Sequence, residues 1–260
     1  MKKAWIVFRK EWFELVKNKL ILYTILIPPL MLSILPLVML YFTRNEPVDQ
    51  NDLAMYQQFL ALLPGLTPAE VVQYMLLNQF LMMYLMMPLI IPVTIAAFSI
   101  IGEKEQRSLE PLLATPIRVT ELLIGKTLAA VIPALLVTWL SFLIFWAGAS
   151  FMTTPTMMRM LISPMWLLAI FVMSPLFCIL AVGIGVVISS RVNDTRVAQQ
   201  IGGIIVLPVI ALAMLQTMGK VLYTTQTFAI ACLVLAVVDL FVIYFGSRLF
   251  QRETILTRWK

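Results

Sequence analysis

Residues Gln73–Ile101 read QYMLLNQFLMMYLMMPLIIPVTIAAFSII and contain no charged side chain. The residues that follow, Gly102–Lys126, read GEKEQRSLEPLLATPIRVTELLIGK and carry eight: Glu103, Lys104, Glu105, Arg107, Glu110, Arg118, Glu121 and Lys126. An uncharged run of that length is too long for a core helix. Roughly 20 apolar residues in a helix match the ~30 Å hydrocarbon core of a bilayer. The chain as a whole agrees: of its 260 residues 61% are hydrophobic and 12% charged, against about 45–50% and 25% in soluble domains.

Apolar runs of this kind predict six spans: Leu20–Phe42, Tyr74–Ile101, Glu121–Phe151, Trp166–Ser190, Ile201–Met218 and Phe228–Phe250. All are expected to be helices, because lipid offers backbone groups no partner outside their own segment. No alternating pattern of a barrel strand occurs. The fold class is therefore an all-α integral membrane protein. Residues 1–19 form an amphipathic interfacial helix and 20–250 the six-span domain. An external loop runs over about 43–73, a loop of opposite sidedness over about 102–120, and a tail over 251–260.

Charge sets the orientation. With the N-terminus cytoplasmic, sixteen of the nineteen basic residues fall on the inner side, and only Arg44, Arg159 and Lys220 lie outside. The positive-inside rule selects this arrangement, with both termini cytoplasmic. The net charge of +6 then reflects anchoring beside anionic headgroups and calls for no nucleic acid. The N-terminal apolar run is too long for a signal peptide, and no A-x-A site follows it.

Several chemistries are excluded. The chain has no histidine, which removes His-dependent base catalysis and HExxH zinc sites. Cys178 and Cys232 both fall inside spans, so neither a structural disulfide nor a cysteine metal site is expected. The string IGKT at Ile124–Thr127 has the end of a phosphate-binding loop, but that motif needs glycine where Thr120 stands. No nucleotide is expected to bind this chain.

At the start, Trp5, Phe8, Trp12 and Leu15 or Val16 recur at helical spacing, with Lys3, Lys10, Glu14 and Lys17 largely off that stripe. Such a helix lies in the headgroup plane and also suits a lever touching a cytoplasmic partner. In the charged loop, Leu109, Leu112 and Leu113 fall at i, i+3, i+4 and form one face of a short helix. The break at Ala114-Thr115-Pro116 ends it. Thr120 is a candidate N-cap for the third span, with Glu121 placed for the helix dipole. The leucine face suits either lipid or a groove on a soluble protein, and the mixed charges around it favour the groove.

GEKEQRSLEPLLATPI resembles the signature of permeases of ATP-binding-cassette exporters of the ABC-2 type, which runs approximately G-E-[KR]-E-x-G-T-L-E-x-L-L-A-T-P between the second and third of six spans. The match takes in Gly102, Glu103, Lys104, Glu105, Leu109, Glu110, Leu112, Leu113, Ala114, Thr115 and Pro116. Arg107 and Ser108 depart from the usual glycine and threonine. The six-span layout is similar to the family's as well. The resemblance implies that the short helix is a coupling helix seated on a separate ATPase. It assigns the ATPase-coupling role to Glu103, Glu105, Leu109, Glu110, Leu112 and Leu113. It further implies two permease chains, the same or different, two ATPases that carry the ATP and Mg, and a prokaryotic cytoplasmic membrane. The permease itself is expected to be neither an enzyme nor a holder of cofactor or metal.

Within the spans, Asp239 sits near mid-bilayer, where a charge costs roughly 2.5–3.5 kcal/mol. It is a pathway candidate as a cation or proton contact, or else a structural hydrogen-bonding group. Asn78 and Gln79 are further pathway candidates, and Gln216 is a weaker one. Ala181, Gly185 and Ser189 repeat at four-residue spacing, as small residues do where helices pack. The 17 methionines suit an adaptable apolar pathway better than Cu(I) handling. The alternative to the exporter is a motorless secondary transporter or channel in which Asp239 couples an ion. A membrane-embedded lipid enzyme lacks any clustered catalytic groups.

Overall fold

A computed structural model describes residues 2–43, 67–105, 119–192, 194–217 and 224–249. The described residues form helices and no strand. In chain order the α-helices are α1 Lys2–Lys17, α2 Lys19–Thr43, α3 Pro68–Glu105, α4 Val119–Met152, α5 Pro155–Leu161, α6 Pro164–Leu168, α7 Ser174–Arg191, α8 Thr195–Gly203, α9 Leu207–Thr217 and α10 Thr225–Leu249. Six helical stretches are long and apolar enough to cross a membrane: Lys19–Thr43, Pro68–Glu103, Thr120–Met152, Pro155–Ser189, Thr195–Gln216 and Thr225–Tyr244. The chain is a multi-pass, all-helical membrane protein.

Helix α3 runs through the middle of the bundle and packs on α2, α4, α7, α8 and α9. Its face is buried at Leu77, Leu81, Tyr84, Leu85 and Leu89. Phe142 and Phe145 of α4 and Trp166 of α6 close this core, with Phe145 stacked on Trp166 at 6.2 Å between ring centroids. Ser33 of α2 donates to Ser141 O of α4 at 2.9 Å, a polar tie between two apolar helices.

Several boundaries differ from the sequence reading. Helix α3 begins at Pro68, six residues ahead of Tyr74. Thr67 and Glu70 form a capping box there: Thr67 N donates to Glu70 Oε2 at 2.9 Å and Glu70 N to Thr67 Oγ1 at 3.3 Å. Residues 68–73 are therefore helical rather than part of the external loop. At its other end α3 continues unbroken to Glu105. Val119 is already helical, so Thr120 lies inside α4 and is not its cap.

The fourth span is longer and less regular than Trp166–Ser190. It starts at Pro155, turns at Ile162-Ser163, and passes through a π-helical turn at Ala169–Met173. A π turn directs the Ile170 carbonyl toward the N–H of residue 175, and Pro175 has none. Side chains replace it: Trp139 Nε1 donates to Ile170 O at 3.1 Å, and Ser174 Oγ donates to the same oxygen. The fifth span is similarly interrupted. The helix tightens to a 3-10 turn at Ile204–Val206 just before Pro208, whose ring would crowd the Ile204 carbonyl in a regular helix.

Candidate functional site: an ion cluster at the root of the charged loop

Helix α1 is packed on the bundle by a face that shares Phe8 and Leu15 with the predicted stripe but leaves Trp5 outside it. Ala4, Val7, Phe8, Glu11 and Leu15 are buried, while Trp5, Phe13 and Val16 are exposed. The close approach is to α4 at Gly125. A Cβ there would lie 2.7 Å from Val7 Cβ and 2.8 Å from Ala4 O, so only glycine lets the two helices meet. The glycine of the IGKT string thus serves helix packing.

The lysine of that string is buried beside it. Lys126 Nζ lies 3.0 Å from Glu11 Oε1, 2.8 Å from Glu103 Oε2 and 2.6 Å from Ser99 Oγ. Ser99 Oγ in turn donates to Glu11 Oε2 at 2.7 Å. Lys10 closes the ring from the surface, 2.8 Å from Glu103 Oε1. Two lysines and two glutamates therefore share a shell in which three of the four are less than a tenth exposed. Burial of one such charge alone would be prohibitive, and mutual pairing offsets much of that cost. At the rim, burial works against the Lys10 charge. Its hydrogen bond to Glu103 and the nearby charges of Glu103, Glu11 and Glu14 outweigh this and raise its pKa.

Three segments meet here: α1 through Glu11, the end of α3 through Ser99 and Glu103, and the start of α4 through Lys126. Glu103 is the last described side chain before the charged loop, and Lys126 stands about two turns into the helix that follows it. A cavity of about 600 Å³ adjoins the cluster. Its walls include Glu14 and Asn18 from the α1 side, Phe98 and Gly102 of α3, and Thr195 of α8.

Of the residues assigned to coupling, Glu103 belongs to this cluster. Glu105 ends α3, and its side chain lies outside the described residues, as do Leu109, Glu110, Leu112 and Leu113. The pathway candidates are elsewhere. Asp239 is 4% exposed and both its carboxylate oxygens lack a hydrogen-bond partner. Asn78 is buried, its Oδ1 without a partner, and Gln79 is half-buried on the adjoining face. These two regions are not brought together. Val242 packs at Gly183, and Gly185 at Val93 and Ala96, so Asp239 lies level with the part of α3 near residue 90. That is about 18 Å along the helix from Asn78 at 1.5 Å per residue. Ala181, Gly185 and Ser189 are all buried in α7, and a Cβ at Gly185 would meet Ala96 Cβ at 3.1 Å.

Sequence reasoning missed Glu11 and Lys126 as partners. Their signal was present: Glu11 interrupts the small apolar face Ala4–Val7–Phe8–Leu15, and Lys126 is the one basic residue of a long apolar helix. The pairing itself spans 115 residues and leaves no local trace. Glu70 was also passed over. It joins two helices through Thr154 Oγ1, which donates to Glu70 Oε1 at 2.8 Å.

Comparison with known proteins gives one family. Residues 66–235 match the model of a family described as ABC-2 family transporter protein. The match begins beside the Thr67 cap and includes Glu103 and Lys126. No curated protein matches the chain significantly.

Proposed function

The chain belongs to the ABC-2 transporter family, and from that premise we propose that it is the permease subunit of an exporter driven by a separate ATPase. The permease of an ABC-type transporter is a membrane subunit rather than an enzyme. On our reading the charged loop between α3 and α4 docks on the ATPase, with Leu109, Leu112 and Leu113 as the apolar contact. Glu103, Glu105 and Glu110 flank that contact. Two permease chains and two ATPases complete the assembly, and ATP and Mg are held by the ATPases.

The observation that carries this reading is the ion cluster of Glu11, Glu103 and Lys126. Both roots of the loop, at Glu103 and Lys126, are fastened to each other and to α1. A displacement of the loop therefore moves α1, α3 and α4 as one body instead of being absorbed by hinge motion at the loop ends. Closure of an ATPase dimer needs such a stiff connection to act on the spans. In this arrangement α1 lies in the headgroup plane with Trp5 and Phe13 toward lipid. The basic end of the bundle faces the cytoplasm, by the charge asymmetry of the loops, and the membrane is a prokaryotic cytoplasmic one, as the family resemblance implies.

The test is a pull-down from membranes with the ATPase encoded beside this chain. The wild type is expected to retain the ATPase. A variant with Leu109, Leu112 and Leu113 changed to Asp is expected to insert normally and lose it. Equal retention by both forms would overturn the docking role.

A second reading, a motorless transporter coupled to an ion at Asp239, draws support from the two unpartnered carboxylate oxygens of that buried side chain. Transport that proceeds without any ATPase would favour it.

A further inference from the structure

Between α3, the fourth span, α9 and α10 runs an apolar cleft of about 120 Å³. Met82 and Leu85 line it from α3, Met173 and Phe177 from the fourth span, and Val209 and Leu212 from α9. Leu212 and Thr227 are exposed and the rest of the wall is buried or half-buried, so the cleft opens sideways at that edge.

The register of α3 and α9 extends the site beyond its apolar wall. The two helices pack on each other and run in antiparallel sense: Val93 meets Gly202, and further along Leu85 and Val209, then Met82 and Leu212, share the cleft. One further turn along the same faces sets Asn78 level with Gln216, since i, i+4, i+7 on α3 and i, i+3, i+7 on α9 stay on one side. Both amides are buried, at 3% and 8% exposure. Asn78 Oδ1 and Gln216 Oε1 both lack a hydrogen-bond partner. A buried carbonyl oxygen left without a donor costs about 1–3 kcal/mol. Two of them at one level, above an apolar cleft, ask for the same thing: a hydrogen-bond donor supplied from outside the chain.

We infer that this cleft binds an amphiphile whose N–H or O–H head group donates to Asn78 and Gln216 while its alkyl chain lies between Met82, Met173 and Leu212. The cleft is far smaller than the ~300–1,000 Å³ of drug-sized pockets, so a slender chain fits and a fused-ring body does not. Thioethers adapt to such chains without fixed geometry. The α10 helix begins at Thr225, only a few residues from this level. The head group therefore sits near the membrane boundary opposite the charged loop, the outer leaflet in the orientation proposed above. The inference deepens the transport reading, and the bound amphiphile is cargo only if that reading holds.

The test uses the full chain in lipid nanodiscs without any ATPase, so its failure is separable from failure of the docking experiment. The probe is a long-chain primary alkylamine carrying a diazirine in its tail; the control is the methyl ester of the same chain, which has no donor. Mass spectrometry is expected to find amine-dependent labelling on the peptides of Met82 and Leu212. Asn78→Leu and Gln216→Leu are each expected to lower it about fivefold, as for a lost hydrogen bond. Labelling at the lipid-facing Leu240, 69% exposed, is expected to stay the same and reports intact insertion. Asn78→Asp, which keeps an acceptor, is expected to retain labelling. Equal labelling by the ester, or labelling that survives both leucine variants, would overturn the inference and leave the cleft as a place where bulk lipid chains rest.

Discussion

Lys126 Nζ and Glu11 Oε1 lie 3.0 Å apart across 115 residues of sequence, both buried. This bond fastens the N-terminal helix to the helix that leaves the charged loop. Its consequences for stability and for coupling separate cleanly.

Lys126→Met leaves Glu11 and Glu103 with only the half-exposed Lys10 as a cation, and a broken buried pair costs up to about 3–5 kcal/mol. The triple change Glu11→Met, Glu103→Met and Lys126→Met removes all three charges together and is expected to recover most of that loss. Thermal unfolding in detergent measures both. If the cluster transmits motion, the triple variant stays folded and still fails to link ATP hydrolysis to transport. Full transport by the triple variant would reduce the cluster to a packing feature.

Gly125→Val drives a side chain into Val7 and the Ala4 carbonyl. Overpacking of this kind costs typically ~1–3 kcal/mol. Here the expected response is displacement of α1 rather than of α4, whose other faces are held by α2 and α3. A cysteine pair introduced at exposed neighbouring positions of α1 and α4 would read the displacement as slower cross-linking. An unchanged rate would mean that α1 keeps its seat and the added side chain is accommodated without separating the helices.

Lys10 sets a dependence on pH. Its pKa is raised above the ordinary 10.5. A group with a raised folded-state pKa stabilises the protein fully below the unfolded value, and loses this as the pH climbs through the folded one. The destabilisation caused by Lys10→Met is therefore expected to be constant through neutral and mildly alkaline pH and to shrink only above 10.5. Melting curves of the two proteins across that range test it, and a penalty that fades near neutrality contradicts the assigned partners.

Trp139→Phe leaves the Ile170 carbonyl with Ser174 as its remaining donor. Loss of one such bond costs about 0.5–1.5 kcal/mol. Hydrogen exchange is expected to rise in the π turn at Ala169–Met173 and not in α7. Uniform protection in the variant would argue that the Pro175 gap is satisfied without the indole.

Asp239→Asn keeps the shape and removes a charge whose burial costs roughly 2.5–3.5 kcal/mol at mid-bilayer. The variant is expected to be at least as stable as the wild type by thermal unfolding, and slower in export if the side chain touches cargo. Unchanged export would take Asp239 out of the pathway.

The six spans were legible because a bilayer imposes a length on each apolar run, and Gln73–Ile101 meets it within one segment. Burial of Ala181 and Gly185 was equally local, written in four-residue spacing. What escaped was of two kinds. The T-P-A-E cap at Thr67–Glu70 was readable, yet it lay where prolines suggested a loop. The meeting of Glu11, Glu103 and Lys126 was not readable from any window, since the three lie on separate helices. The same holds for Asn78 and Gln216, whose common level emerges only from the antiparallel register of α3 and α9. The leucines of the charged loop, the part of the sequence with the most specific signature, lie outside the described residues.

The seat of α1 has a consequence for synthesis. Glu11 leaves the ribosome before Lys126, which lies 115 residues later, by roughly 6–23 s at a translation rate of ~5–20 residues per second. Through that interval its carboxylate has no buried partner and must stay hydrated at the membrane surface. The first helix to be made is thus set in place only after the third span arrives, and its docking marks that the amino-terminal half of the bundle has assembled.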